Sequence, residues 1–231
     1  MGKINKIGHN LVQIAILLSG TLYQIKPYFF GSYIGDPFDG RLMVVLHQHW
    51  WNFLQGDQSF LDTGFFYPFQ RGLGFSDSFL VQGPIYVIAK FFGLSSLDSW
   101  AVTNSVMMFL FNLGIFLIIR SLIKNQVIRS LILLSSIFSY TLISYFYMYT
   151  NISGYAISML MIYILIRLIQ NITNNNINIL ILSILVPAQF LSGWYSAFFV
   201  SCLLLIITTI NILFNRNNFV LSLRNIYKSI N

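Results

Sequence analysis

Long apolar runs separated by short polar breaks dominate the chain. The first runs from about Asn10 to Ile25, and another from about Trp100 to Ile119. Further apolar stretches fill the intervals between Arg129 and Tyr149, Ser153 and Arg167, Asn178 and Gln189, and Trp194 and Arg216. Runs of roughly 17–25 apolar residues are what a helix needs to cross a bilayer. The pattern predicts an all-α, polytopic helical membrane protein with about six transmembrane helices. Leu18-Ser19-Gly20 resembles a weak signal-peptide cleavage site, but the run continues through Thr21-Leu22-Tyr23, so an uncleaved first helix is expected. Pro27 is expected to end it.

One long segment, residues 26–98, departs from the pattern. Asp36-Pro37 followed by Asp39 reads as a helix start, with Asp as N-cap and Pro at the first helical position. That helix is expected to run to about Leu54. It is apolar around much of its circumference and carries Trp50 and Trp51, as a helix lying in a membrane interface does. Ser76 is a plausible cap for a second helix, from Asp77 to about Phe92, broken at Gly83-Pro84.

Charge decides the topology this predicts. If residues 77–92 crossed the membrane, Arg120, Lys124 and Arg129 would fall outside, against the preference of Lys and Arg for cytoplasmic loops. With 77–92 interfacial, Lys3 and Lys6, then Arg120 to Arg129, then Arg167, then Arg216, Arg224 and Lys228 all fall inside. The turns at Tyr149–Ser153 and Gln189–Trp194 fall outside without charge. Both termini are then cytoplasmic, in a multi-pass protein of the cytoplasmic membrane, and the lipid bilayer is its first partner. Residues 1–231 form one transmembrane domain, with 26–98 as an outer loop. The tail at 215–231 sets Phe219, Leu223, Ile226 and Ile230 on one helical face beside Arg224 and Lys228, as a cytoplasmic basic amphipathic helix.

Composition agrees. The 231 residues are 56% hydrophobic and 8% charged, where a soluble domain carries about 25% charged residues. The net charge of +7 is read as topology, with no nucleic-acid partner. Cys202 stands alone, which excludes an intramolecular disulfide and a cysteine metal site. The Asn-rich stretch 171–178 reads as a biased short loop.

All six acidic residues lie between Asp36 and Asp98, and there is no Glu. Asp36 and Asp39, one helical turn apart, could hold a divalent cation such as Mg or Mn, or one could act as a general base. Asp–x–x–Asp at a helix start is equally a capping arrangement. His47 shares a helical face with Asp39, whereas His49 points elsewhere; each is also ordinary hydrogen-bonded packing. Arg41 and Arg71 could meet a phosphate, a lipid headgroup or a neighbouring Asp. Asp77, after Ser76, has the same ambiguity as Asp36. Trp194-Tyr195 reads as an aromatic belt. Walker, HExxH and nucleophile-elbow motifs are absent. The crossings hold no acid, so they carry no carboxylate proton relay.

Gly-Asp-Pro-Phe-Asp-Gly-Arg at 35–41, His47 and His49 with the Trp pair, Phe-Phe-Tyr-Pro at 65–68 and Gly-Phe-Ser-Asp-Ser at 74–78 leading to Gly93-Leu94 resemble a known pattern. It is the N-terminal part of bacterial polytopic membrane proteins of the GT-C glycosyltransferase type. The resemblance implies transfer of a sugar from a polyprenyl-phosphate donor outside the cytoplasmic membrane. It makes Asp36 and Asp39 catalytic or metal-binding; beside them, Arg41 or Arg71 is expected to contact the carrier phosphate, and the residue chemistry adds His47 and Asp77 as substrate-binding candidates. Such proteins are usually longer, so a downstream polypeptide would complete the fold. The alternative is a non-catalytic membrane scaffold or carrier-binding subunit completed by a partner. A transporter fits less well, for want of charge and internal symmetry in the crossings.

Overall fold

The computed structural model describes residues 2–29, 39–64, 71, 78–139, 154–170 and 175–214. Among the described residues there are eight helices and no strand: α1 (Gly2–Phe29), α2 (Asp39–Gln55), α3 (Gln82–Phe91), α4 (Ser96–Leu122), α5 (Gln126–Ile137), α6 (Tyr155–Ile169), α7 (Asn175–Ser192) and α8 (Trp194–Phe214). The tail at 215–231 and the turn at 149–153 lie outside the described residues.

α4 is the axis of the fold and packs against α1, α2, α3, α5 and α6. Its start is set locally: the Ser95 hydroxyl accepts from Asp98 N at 3.1 Å and donates to Asp98 Oδ2 at 2.6 Å, with the carboxylate at the positive end of the helix dipole. At 27 residues it is about 40 Å long. It is the one helix among the described residues both long and apolar enough to cross a membrane. Three residues later Asn125 caps α5, its Oδ1 accepting from Val127 N and Ile128 N at 3.0 and 3.1 Å, so the chain turns back at once.

Side-chain pairs give the direction of each neighbour. Tyr28 meets Trp100 with ring centroids 5.7 Å apart, and Leu17 packs with Phe116 and Ile119, so α1 is antiparallel to α4. Gln13 reaches Ser130 and Gln24 reaches Ile137, so α5 runs parallel to α1. Ala156, Ile157 and Met161 pack with Met107, Met108 and Phe111. Gly114 lets the backbone of Met159 come so near that a Cβ would lie 3.1 Å from its carbonyl carbon. α6 therefore runs parallel to α4. The end of α7 meets the starts of α6 and α8 through Gln189, which bonds Ser158 at 2.8 Å and Ser196 at 2.7 Å.

Polar side chains share the interior with the apolar core, and large apolar side chains cover the outside. Gln13, Thr21, Gln24, Asn112, Ser158, Gln189 and Ser196 are buried, while Leu11, Leu22, Ile184, Phe198 and Leu205 are exposed. The exposed apolar side chains run along whole helix faces, far beyond the scattered few of an ordinary water-facing surface.

Three expected boundaries move. α1 passes through Pro27 to Phe29, although the proline gives up the bond its N–H would make to the carbonyl one turn back, and the helix ends two residues later. The Asn-rich loop is shorter than expected, because α7 begins at Asn175. α3 begins at Gln82 instead of Asp77, which puts Pro84 in its first turn, where a missing N–H is harmless. Its 10 residues span about 15 Å, half of the ~30 Å bilayer core.

Candidate functional site

α2 and α3 lie against the start of α4 and make a cap at one end of the bundle. The cap is held at three points. Trp50 Nε1 donates to Ser78 O at 2.9 Å, tying α2 to the segment before α3. Leu80 N at 3.1 Å and the Ser78 hydroxyl both donate to Leu191 O, which is in the last turn of α7, where carbonyls lack intrahelical partners. Gly83 admits the Trp50 ring: a Cβ there would lie 2.6 Å from Trp50 Cγ.

At the junction of the three helices, Gln48 Oε1 accepts from Tyr86 Oη at 2.7 Å and from Ser96 Oγ at 2.9 Å, while its Nε2 donates to Asn52 Oδ1 at 2.9 Å. Lys90 Nζ donates to Ser96 Oγ at 3.4 Å and lies over the Trp51 ring, 5.9 Å from its centroid. Burial pushes the Tyr86 hydroxyl above its ordinary value, with a smaller opposing effect from its contact with Ser96, so it stays a protonated donor.

His47 is 1% exposed. Its Nδ1 donates to Met43 O one turn back, at 2.7 Å, which leaves Nε2 as a bare acceptor. Its ring stacks on Phe79 at 4.7 Å and lies 5.7 Å from Tyr86. Burial lowers its pKa to about 4, against a smaller opposing effect of the Met43 carbonyl. The imidazole is therefore neutral at pH 7. Among the described residues Nε2 has no hydrogen-bond partner, and the same is true of both amide atoms of Gln82. Gln82 sits one turn before Tyr86 on the same face of α3. Buried polar atoms left unpaired cost roughly 1–3 kcal/mol each, so an acceptor and an amide at one helix junction are ready for a hydroxyl or a water.

His49 does different work. Its Nδ1 lies 3.0 Å from Gln58 Oε1 and its Nε2 3.1 Å from Phe60 O, so the ring faces the loop after α2 from both nitrogens and its one N–H fastens it.

Of the other residues singled out by sequence, Asp36 and Asp77 lie outside the described residues, as does the side chain of Asp39, whose backbone opens α2. Arg41 is exposed on the first turn of α2. Arg71 is exposed with φ 62°. Neither arginine is brought to His47 by any described contact. Among the described residues no three His, Cys, Asp or Glu side chains gather to hold a metal. Sequence reasoning passed over Gln48, Gln82, Tyr86 and Lys90. Gln82 carried a signal: it is a lone amide in an apolar run just ahead of Gly83-Pro84.

Comparison with protein families, with curated proteins and with solved structures finds nothing that matches this chain.

Proposed function

We propose that the chain is the N-terminal membrane portion of a glycosyltransferase of the GT-C type, using a polyprenyl-phosphate-linked sugar at the outer face of the cytoplasmic membrane. Its six crossings are α1, α4, α6, α7, α8 and the segment opened by α5, whose own 12 residues cover only part of the bilayer core; α2 and α3 rest at the outer interface. The observation that carries it is a helical bundle with apolar outer faces and amides among its buried residues, closed at one end by a cap of two helices. Apolar faces turn outward, buried amides turn inward, and the cap holds the unpaired His47 Nε2 and Gln82 amide. The alternating helix directions support the same topology. The Lys and Arg of residues 120–129 and Arg167 fall at the end away from the cap, where the positive-inside preference puts cytoplasmic charge.

In this mechanism the sugar hydroxyls take the Gln82 amide and His47 Nε2, and Lys90 or Arg41 meets the carrier phosphate. Asp36, with Asp39, acts as general base or holds a divalent cation. The test is sugar transfer from a synthetic polyprenyl-phosphate sugar by the chain together with any downstream polypeptide. Asp36→Asn should cut transfer by about 100-fold or more with insertion unchanged, and Asp62→Asn should be nearly silent. Wild-type transfer by Asp36→Asn returns Asp36 to a capping role.

A carrier-binding subunit is the second reading. One observation favours it: Asp57 and Asp98 are exposed, and Asp62 bonds Gly64 N in its own loop at 3.2 Å. None of the described carboxylates therefore faces His47. Binding of the carrier without transfer, in the full assembly, would select it.

A further inference from the structure

The end of the bundle opposite the cap carries a second candidate site. Arg120 stands in the last turn of α4 and Arg167 in the last turn of α6. Because these helices run parallel, both guanidinium groups reach the same end. Between them lies a cavity of about 390 Å³ lined by Leu117, Arg120, Ser121, Tyr163 and Arg167. Arg120 is exposed and Arg167 half-buried. Arg167 is oriented by its own helix: Nη1 donates to Tyr163 Oη at 3.2 Å, and the guanidinium lies 5.6 Å from the Tyr163 ring centroid. The Tyr163 hydroxyl, accepting that bond, keeps its proton to donate. Arg120 lies over Phe116 at 5.8 Å.

Arg129 adds a third charge. It is anchored by Nε and Nη2 on Ile123 O at 3.0 and 2.6 Å and stands near enough to Arg120 for the two to repel. The chain has no acidic side chain after Asp98. Asp98 is at the far end of α4, about 33 Å from Arg120. The helix C-termini oppose an anion with about half a negative charge each, which two full guanidinium charges outweigh. Guanidinium forks match phosphate oxygens two at a time, and Leu117 with the Tyr163 ring supplies an apolar wall beside them.

We infer that the Arg120–Arg167 cavity binds a phosphate-bearing anion, with the two arginines on its oxygens and Tyr163 as a further donor. Two sources offer that chemistry: an anionic phospholipid headgroup, which would enter sideways at the cytoplasmic interface, and a soluble phosphate. The lipid source rests on the membrane reading above; the phosphate chemistry does not.

The test uses the full chain purified into phosphatidylcholine nanodiscs, with thermal unfolding and native mass spectrometry as readouts. Phosphatidylglycerol in the disc, or millimolar inorganic phosphate outside it, is the probe. The expected result is stabilisation by phosphatidylglycerol and its retention on the protein. Retention should weaken about tenfold for each arginine lost in Arg120→Gln and Arg167→Gln. The pair Arg120→Lys/Arg167→Lys, which keeps charge but not the fork, should bind at an intermediate level and guards against a misfolded Gln pair. Stabilisation by inorganic phosphate alone, lost in the same variants, keeps the site and assigns it to a soluble ligand. Equal behaviour of phosphatidylglycerol and phosphatidylcholine with no effect of phosphate, or binding undiminished in the folded variants, overturns it. A chain that does not enter the discs at all overturns the membrane reading instead, and the phosphate arm, run in detergent, still decides the site.

Discussion

Asn112 on α4 donates to Gln24 Oε1 on α1 at 2.6 Å, and the same amide nitrogen reaches Thr21 Oγ1 at 3.0 Å. Gln24 Nε2 passes the chain on to Ile137 O on α5 at 2.6 Å. Three helices thus share one buried amide network. Removing Asn112 leaves Gln24 Oε1 buried without that donor, while Thr21 still bonds Leu17 O at 2.8 Å. Asn112→Ala is expected to cost about 1–2 kcal/mol and Thr21→Val less. A double-mutant cycle of Asn112→Ala with Gln24→Ala in bicelles should give a coupling of about 1 kcal/mol. Additive losses would show that the two amides do not support each other.

His47 makes stability depend on pH. Its folded pKa of about 4 lies below the ordinary 6.5, so between these values the unfolded chain binds more protons. Stability therefore falls as pH drops from about 6.5 to about 4, by roughly 3 kcal/mol over the whole window, with no further loss from this group below it. His47→Phe keeps a ring against Phe79 and removes the titration. The difference in Tm between wild type and His47→Phe should change steadily across that window; a constant difference would mean that the imidazole is hydrated or paired.

Gly114 sets the separation of α4 and α6. A Cβ there would press on Met159 Cβ, with the Met159 carbonyl carbon at 3.1 Å and Leu160 N at 3.3 Å, and backbone cannot yield as a side-chain tip does. Gly114→Ala should destabilise by about 1–3 kcal/mol, and Gly114→Val more. Gly8, with nothing within 4 Å of a built Cβ, is the control, where Ala should be neutral or stabilising by up to ~1 kcal/mol. Equal responses at the two positions would contradict the close approach.

Topology can be read with single cysteines in a Cys202→Ala background. Ser59, exposed in the loop after α2, and Lys124, exposed in the α4–α5 turn, lie at opposite ends of the bundle. An impermeant maleimide is expected to reach Ser59→Cys in intact cells and Lys124→Cys only after permeabilisation. Labelling of both in intact cells would rule out the six-crossing arrangement.

Sequence by itself determined that the chain is helical and where most helices run, because apolar runs, caps and breakers act within a few residues. The break expected at Gly83-Pro84 became a helix start at Gln82, and the caps at Ser95 and Asn125 emerged only with the structure. The short helices in the 26–98 segment were legible for the same reason, to within a few residues. Tertiary structure alone decided which buried polar groups pair and which stay open. Gln24 and Asn112 meet across two helices, and Gln82 and His47 keep unpaired atoms only because α2 and α3 fold together against α4. It also decided that α6 lies directly beside α4, which brings Arg120 and Arg167, already assigned to the same end by the charge pattern, around one cavity. Read singly, each arginine was only a topology marker. Local pattern fixes what each residue prefers, whereas a site needs residues from distant helices at one place, and only packing supplies that.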